Sequence, residues 1–162
     1  ILLQKYDEAK GANSSISLAV TKKAILNVGD KFPAFTATDI EGKQWTEADI
    51  DGKVMVLNLW FSGCGPCRAE MPELSIWKNE MPDVMFFSAT YESAEVDRPI
   101  IEKQGFNWTH LVENTQFKEY VGGNGYPMTI IVDKAGVVSM IEHGTSPTQR
   151  AELKKKIEEL RK

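Results

Sequence analysis

Val54-Met55-Val56-Leu57-Asn58-Leu59-Trp60-Phe61 is a nearly continuous apolar run, and Ser62-Gly63 joins it to Cys64-Gly65-Pro66-Cys67. Such a run, rich in β-branched and aromatic residues and short for a helix, reads as a strand buried on both faces. Beyond it, Pro66 to Glu80 reads as a helix, with Ala69, Leu74, Ile76 and Trp77 expected on its buried face and a kink expected at Pro72. The two cysteines therefore stand at a strand-to-helix junction. There, unpaired backbone N–H groups and the positive end of the helix dipole favour a thiolate. In such settings a thiol falls from its free value of ~8.5 to roughly 3.5 to 7.5. Cys64 is expected to be the nucleophile, and Cys67, one turn inward, to be the resolving thiol.

Working outward, Phe32, Phe35 and Trp45 flank a turn at Glu41-Gly42-Lys43, the pattern of a hairpin. After the cysteines come a strand at Val84 to Ala89 and a helix from a Ser93 cap to Gln104, closed by Gly105 and open to division at Pro99. His110-Leu111-Val112 reads as a further strand, Gln116 to Tyr120 as a short helix, and Ile130-Ile131-Val132 with Val137 to Ile141 as a hairpin pair around Asp133-Lys134-Ala135-Gly136. The last helix starts at a Ser146 cap, with Pro147 at its first position and Gln149 three residues on, and presents Leu153, Ile157 and Leu160. This order of elements defines an α/β sheet with parallel and antiparallel parts. Residues 1–27 read as an N-terminal extension to a domain spanning 28–162. It contains helical spacing at Leu2, Leu3, Tyr6 and Ala9, a break at Gly11 to Ser15, and strand-like alternation at Ile16, Leu18 and Val20.

The 162 residues suit one domain, and 42% hydrophobic with 26% charged residues is the composition of a water-soluble globular protein. No apolar run approaches the ~20 residues that span a bilayer. A net charge of -4 gives no basic footprint, so nucleic acid is not an expected partner. Two cysteines so close in sequence are local chemistry rather than a disulfide framework. A zinc site needs about four ligands. Only His110 and His143 could join the cysteines, so no metal is expected. Because the chain opens on Ile1, it reads as a mature or trimmed product whose targeting segment is gone.

Three groups of residues carry a family resemblance: Leu57-Asn58-Leu59-Trp60, Cys64-Gly65-Pro66-Cys67-Arg68-Ala69-Glu70-Met71-Pro72, and Gly125-Tyr126-Pro127 ahead of the Ile130-Ile131-Val132-Asp133 strand. From about Val28 to its end, the sequence resembles the thioredoxin superfamily, and more narrowly the TlpA/ResA-like extracytoplasmic thiol-disulfide oxidoreductases. The resemblance implies a thioredoxin-like three-layer α/β/α fold with a mixed central sheet of four or five strands, the N-terminal extension, and a central αβ insertion between Ala89 and Gly122. It implies a protein disulfide reductase with no cofactor beyond the Cys64–Cys67 disulfide, and a disulfide-containing protein as substrate. It further implies a membrane-bound thiol donor, a monomer, and a periplasmic or other extracytoplasmic location with an anchor in the removed segment.

Further roles come only from that resemblance. Asn58 replaces the buried acid of thioredoxins, which shifts proton handling to Glu70, a partner for the proton of Cys67. Trp60 packs beneath the motif. Pro127 corresponds to the cis-proline facing the cysteines, with Tyr126 before it as the residue on which substrate docks beside Gly65 and Pro66. Gly63 replaces a large residue and is expected to open the surface around Cys64. Two other chemistries compete. A peroxidase would need a proline and a Ser/Thr where Leu57 and Phe61 stand. A copper-binding assembly protein would use both thiolates and a histidine such as His143.

Overall fold

The computed structural model describes residues 25–162; the elements expected within residues 1–24 lie outside it. Seven strands form one sheet: β1 (Thr36–Asp39), β2 (Gln44–Thr46), β3 (Met55–Leu59), β4 (Met85–Ala89), β5 (Thr109–Val112), β6 (Met128–Val132) and β7 (Val138–His143). Their spatial order is β2-β1-β5-β4-β3-β6-β7. β3 runs parallel to β4 and β4 parallel to β5, while β6 lies antiparallel to β3 and to β7. Among the described residues the helices are α1 (Gly65–Glu80), α2 (Ala94–Gln104), α3 (Lys118–Val121) and α4 (Pro147–Leu160). A short 3-10 turn over Glu47–Ile50, capped by Thr46, follows β2. Among the described residues no helix is long and apolar enough to cross a membrane.

The sheet exceeds the four or five strands expected. The added strands are explained by β5, which lies in the central insertion and pairs with β4 on one side and with the β1–β2 hairpin on the other. Each parallel or antiparallel neighbour satisfies an edge of backbone N–H and C=O groups that would otherwise be left open.

Strand periodicity divides the core in two. Met55, Leu57 and Leu59 of β3 join Phe32, Phe35, Phe87, Phe117 and Ile130 on one face. Val54, Val56 and Trp60 join Leu74, Trp77, Phe86, Ile131, Leu153 and Ile157 on the other, under α1 and α4. Successive side chains alternate between faces. Asn58 therefore belongs to the helix-covered face, one polar position in an apolar series. The segment before β1 is bound at the opposite edge, with Gly29 N donating to Val138 O and Phe32 N to Gly136 O, both 2.8 Å. It brings Phe32 and Phe35 across the face opposite α1 and α4, where Ile50, Phe117 and Val121 also pack.

The buried face of α1 differs from expectation. Cys67, Glu70, Met71, Leu74 and Trp77 are buried, whereas Ala69 is exposed and Ile76 is 52% exposed. The stripe is set by the positions i, i+3, i+4, i+7 counted from Cys67, so a glutamate occupies a place that apolar counting assigned to alanine. α1 runs unbroken through Pro72, and α2 through Pro99, with both prolines exposed. At the start of α4, Gln149 N donates to Ser146 Oγ at 3.1 Å, but the Gln149 side chain turns to Glu142 and the His143 carbonyl instead of closing a capping box.

Candidate active site

Cys64 is the N-cap of α1, in extended backbone conformation, and its Sγ accepts the Cys67 backbone N–H at 3.2 Å. This is the cap position that leaves helix N–H groups in need of an acceptor. A sulfur there meets the positive end of the helix. Cys64 and Cys67 are joined as a disulfide, with Cα atoms 5.3 Å apart. Both are buried, Cys64 at 6% exposure and Cys67 at 1%. Trp60 is buried in the same cluster. Gly65 and Pro66 are exposed, and nothing lies within 4 Å of where a Gly65 Cβ would stand.

On the buried face of α1 that also carries Cys67, Glu70 Oε2 accepts from Asn58 Nδ2 at 3.0 Å, and the same amide donates to Thr129 Oγ1 at 3.1 Å. β3, α1 and β6 thus converge on one polar cluster within an apolar layer. Glu70 is 4% exposed, and burial pushes its carboxyl above the ordinary range. Hydrogen bonds from Thr145 and Asn58 and the charge of Arg150 act in the opposite direction.

The Tyr126–Pro127 peptide bond is cis. Pro127 is buried, and its carbonyl accepts Gly144 N at 2.7 Å. Tyr126 is half-buried, its ring edge-on to Phe61 at 5.1 Å, and Phe61 in turn stacks on exposed Tyr91 at 6.4 Å. The space beside Gly63 is not simply open, because a Cβ there would come within 3.0 Å of Phe61 Cε2. An aromatic ring from two positions earlier occupies the place of the missing side chain.

Several site residues had no sequence signal. Glu92, after β4, accepts Ser62 N and Ser62 Oγ, each at 2.7 Å, while Arg68 Nη1 donates to Ser62 O at 3.0 Å. The loop ahead of Cys64 is therefore held by a carboxylate thirty residues away in sequence. Asp97, buried at the start of α2, accepts the Thr90 hydroxyl and faces Glu92. Thr145 and Arg150, beyond Glu70, were likewise unmarked. A carboxylate among 23 acidic residues or one threonine on a loop carries no pattern of its own.

His143 approaches the Gly125 carbonyl at 3.4 Å, and His110 is buried between Ser88 and the Phe106 carbonyl. Among the described residues no three or more His, Cys, Asp or Glu side chains gather as a metal-holding group.

A buried cysteine pair capping the helix that follows the central strand of a mixed, seven-stranded sheet defines a thioredoxin-fold thiol-disulfide oxidoreductase. Residues 28–141 match the model of the AhpC/TSA family, and the chain belongs to that family. Among its relatives, the thioredoxin-like protein YneN of Bacillus subtilis is 26% identical over 138 residues, covering 82% of this chain and 81% of that one. The thiol-disulfide oxidoreductase ResA of Geobacillus thermodenitrificans is 28% identical, covering 77% and 74%. The solution structure of a thiol:disulfide interchange protein from Bacteroides sp. superposes with a TM-score of 0.69 at 25% identity, covering 84% of this chain and 91% of that one.

Proposed function

We propose that this protein reduces disulfides in protein substrates outside the cytoplasm. In the reduced enzyme the Cys64 thiolate attacks one sulfur of the substrate disulfide, forming a mixed disulfide and expelling one substrate thiolate. Cys67 then attacks Cys64 Sγ, the second substrate thiolate leaves, and the enzyme carries the Cys64–Cys67 disulfide. Two electrons pass to the substrate, whose sulfurs end as thiols after taking up two protons. Glu70 accepts the proton of Cys67 as that sulfur becomes a nucleophile, and Asn58 holds the Glu70 carboxyl in place. A membrane-bound thiol donor returns the enzyme to its dithiol form.

The observation that carries this reading is the Cys67 N–H directed at Cys64 Sγ, which favours negative charge on the outer sulfur and makes it the attacking one. Support for substrate docking comes from the exposed Gly65-Pro66 dipeptide and the half-buried Tyr126 ahead of Pro127, flanked by Phe61. The extracytoplasmic location, and the division into an extension over 1–27 and a catalytic domain over 28–162, are inferred from the likeness to the ResA proteins and from the start of the family match at residue 28.

Trapping tests the reading. Cys67→Ala is expected to hold a client protein in a disulfide through Cys64, released by dithiothreitol and identified by mass spectrometry. A reactive Cys64 that captures no protein thiol sinks the protein-reductase role. For direction, the couple is expected to equilibrate near the ~-270 mV of thioredoxin. A value near ~-120 mV would instead assign it to disulfide formation.

A further inference from the structure

Ser62 stands two residues before the nucleophile, and each of its polar atoms is taken by a charged side chain from another element. Its N–H donates to Glu92 Oε1 and its hydroxyl to Glu92 Oε2, each at 2.7 Å, while its carbonyl accepts Arg68 Nη1 at 3.0 Å. Ser62 and Gly63 are the central residues of a turn closed by Cys64 N donating to Phe61 O at 3.1 Å. That turn carries the chain from β3 to the N-cap of α1. A grip on Ser62 therefore fixes where Cys64 stands.

Glu92 is itself anchored. Its N–H donates to Thr90 Oγ1 at 3.1 Å, the Thr90 hydroxyl donates to buried Asp97, and the Glu92 carbonyl accepts Glu113 N at 2.8 Å. Among the described residues Glu113 is the one non-glycine residue with positive φ, at 50°. A backbone in that region persists where its surroundings over-determine it. Here it delivers the N–H that ties the loop after β5 to the loop after β4. Both glutamates lie between Ala89 and Gly122, so that segment reaches the cysteines through Ser62.

The grip matters differently in the two redox states. In the oxidised protein the bond to Cys67 holds Cys64 Sγ whatever the turn does. In the dithiol that bond is gone, and the Cys67 N–H is left on a thiol sulfur, a weak acceptor. Hydrogen bonds to a carboxylate are of the stronger kind. We propose that Glu92 is a positioning residue for the nucleophile: by gripping Ser62 it holds the turn that keeps Cys64 Sγ at the N-terminus of α1 once the disulfide has opened. Its consequence for catalysis rests on the reading of Cys64 as the attacking thiol. Glu92 acts on that thiol in two ways of opposite sign. Its charge opposes a thiolate, as the charge of Arg68 favours one, and in a partly exposed turn both are screened by solvent. A sulfur that leaves the helix N-terminus returns from roughly 3.5 to 7.5 toward ~8.5, a rise of at least about one pH unit. Positioning is the larger effect.

The test is the rate of iodoacetamide alkylation against pH in Cys67→Ala protein, where Cys64 is the sole thiol. Adding Glu92→Ala is expected to raise the midpoint of that profile by roughly one pH unit, a tenfold loss of thiolate at any pH below it. Glu92→Gln keeps an oxygen for the Ser62 N–H and is expected to stay nearer the parent. Ser62→Ala removes one hydrogen bond and leaves the Glu92 charge in place. It is expected to raise the proton affinity of Cys64 about threefold on the same scale, and it serves if Glu92→Ala does not fold. Midpoints that fall in both Glu92 variants make Glu92 a charge rather than a grip and overturn the proposal. An unmoved midpoint in folded Ser62→Ala does the same. If the midpoints rise as expected but Cys67→Ala traps no client, the grip stands and the protein-reductase role fails. If clients are trapped while no midpoint moves, reduction stands and the part given to Glu92 fails.

Discussion

Two buried carboxyl groups flank the redox motif, and they live in opposite surroundings. Glu70 on α1 and Asp97 on α2 are 4% and 1% exposed, and burial raises both. The Glu70 carboxyl accepts from Asn58 Nδ2, and the influence of Thr145 and of the Arg150 charge works against its burial. Asp97 accepts from Thr90 and has a second acid, Glu92, against it; burial first, and Glu92 after it, raise its carboxyl from an ordinary 3.8 to about 7. Similar burial thus raises both acids, with donors and a positive charge opposing the rise at Glu70 and a second acid adding to it at Asp97. Depth in the protein does not by itself set the proton affinity of a carboxyl; the polarity of its neighbours contributes as much. The two also act on different parts of the site. Glu70 lies on the helix face of Cys67, whereas the Asp97–Thr90–Glu92 group reaches Ser62 and so holds the loop before Cys64.

The comparison is broken most directly by kinetics. Glu70→Gln is expected to slow disulfide reduction at neutral pH about a hundredfold, the lower end of what a general acid-base group contributes. Asp97→Asn is expected to slow it less than about twofold on the same scale. Equal losses in stopped-flow reduction of a model disulfide would put both acids in the chemistry. Next in size is Glu92→Ala, which removes the carboxylate that accepts two hydrogen bonds from Ser62. A loss of about 1 to 3 kcal/mol in urea unfolding is expected, together with an altered rate of Cys64 alkylation in the reduced protein. Unchanged alkylation would detach Glu92 from the placement of Cys64.

Smaller effects sharpen the contrast through pH. Because the folded-state value of Asp97 lies above its ordinary one, its contribution to stability is complete below about pH 4 and is lost as pH rises to about 7. Urea midpoints of Asp97→Asn should lack that decline. His110 acts with the opposite sign. Burial lowers it from 6.5 to about 4, so stability is complete above about pH 6.5 and is lost as pH falls toward 4. Between these limits the two slopes oppose one another in the wild type. His110→Gln should therefore expose the Asp97 decline as a steeper loss of stability from pH 4.5 to 6.5, by roughly these pKa limits. A flat profile in that variant would mean that Asp97 ionises without cost in the folded protein.

Much of this site was legible in the chain. The apolar run into Ser62-Gly63-Cys64 marked a central strand feeding a helix, and β3 and α1 lie there. Asn58 was singled out by the family resemblance, as the residue standing in place of a buried acid, and it is buried at the centre of the polar cluster. Glu70 was singled out by the same resemblance, although simple amphipathic counting preferred Ala69 and Ile76 for the buried face. The seventh-strand width of the sheet was not legible, because edge pairing of β1 with β5 joins segments more than seventy residues apart without a local signal.

What the sequence determined by itself is the chemistry of the Cys64–Cys67 pair and the strand-to-helix junction that presents it. These depend on residues within a dozen positions of one another, where backbone geometry alone sets the relation. The tertiary structure decided where each acid lies and what faces it. Ser62 meets Glu92 and Glu73 meets Arg150 at separations of 30 and 77 residues, and such meetings arise only when sheet and helices pack. Proton affinity follows from burial and from the direction of each neighbouring hydrogen bond. Neither quantity exists until the chain has folded.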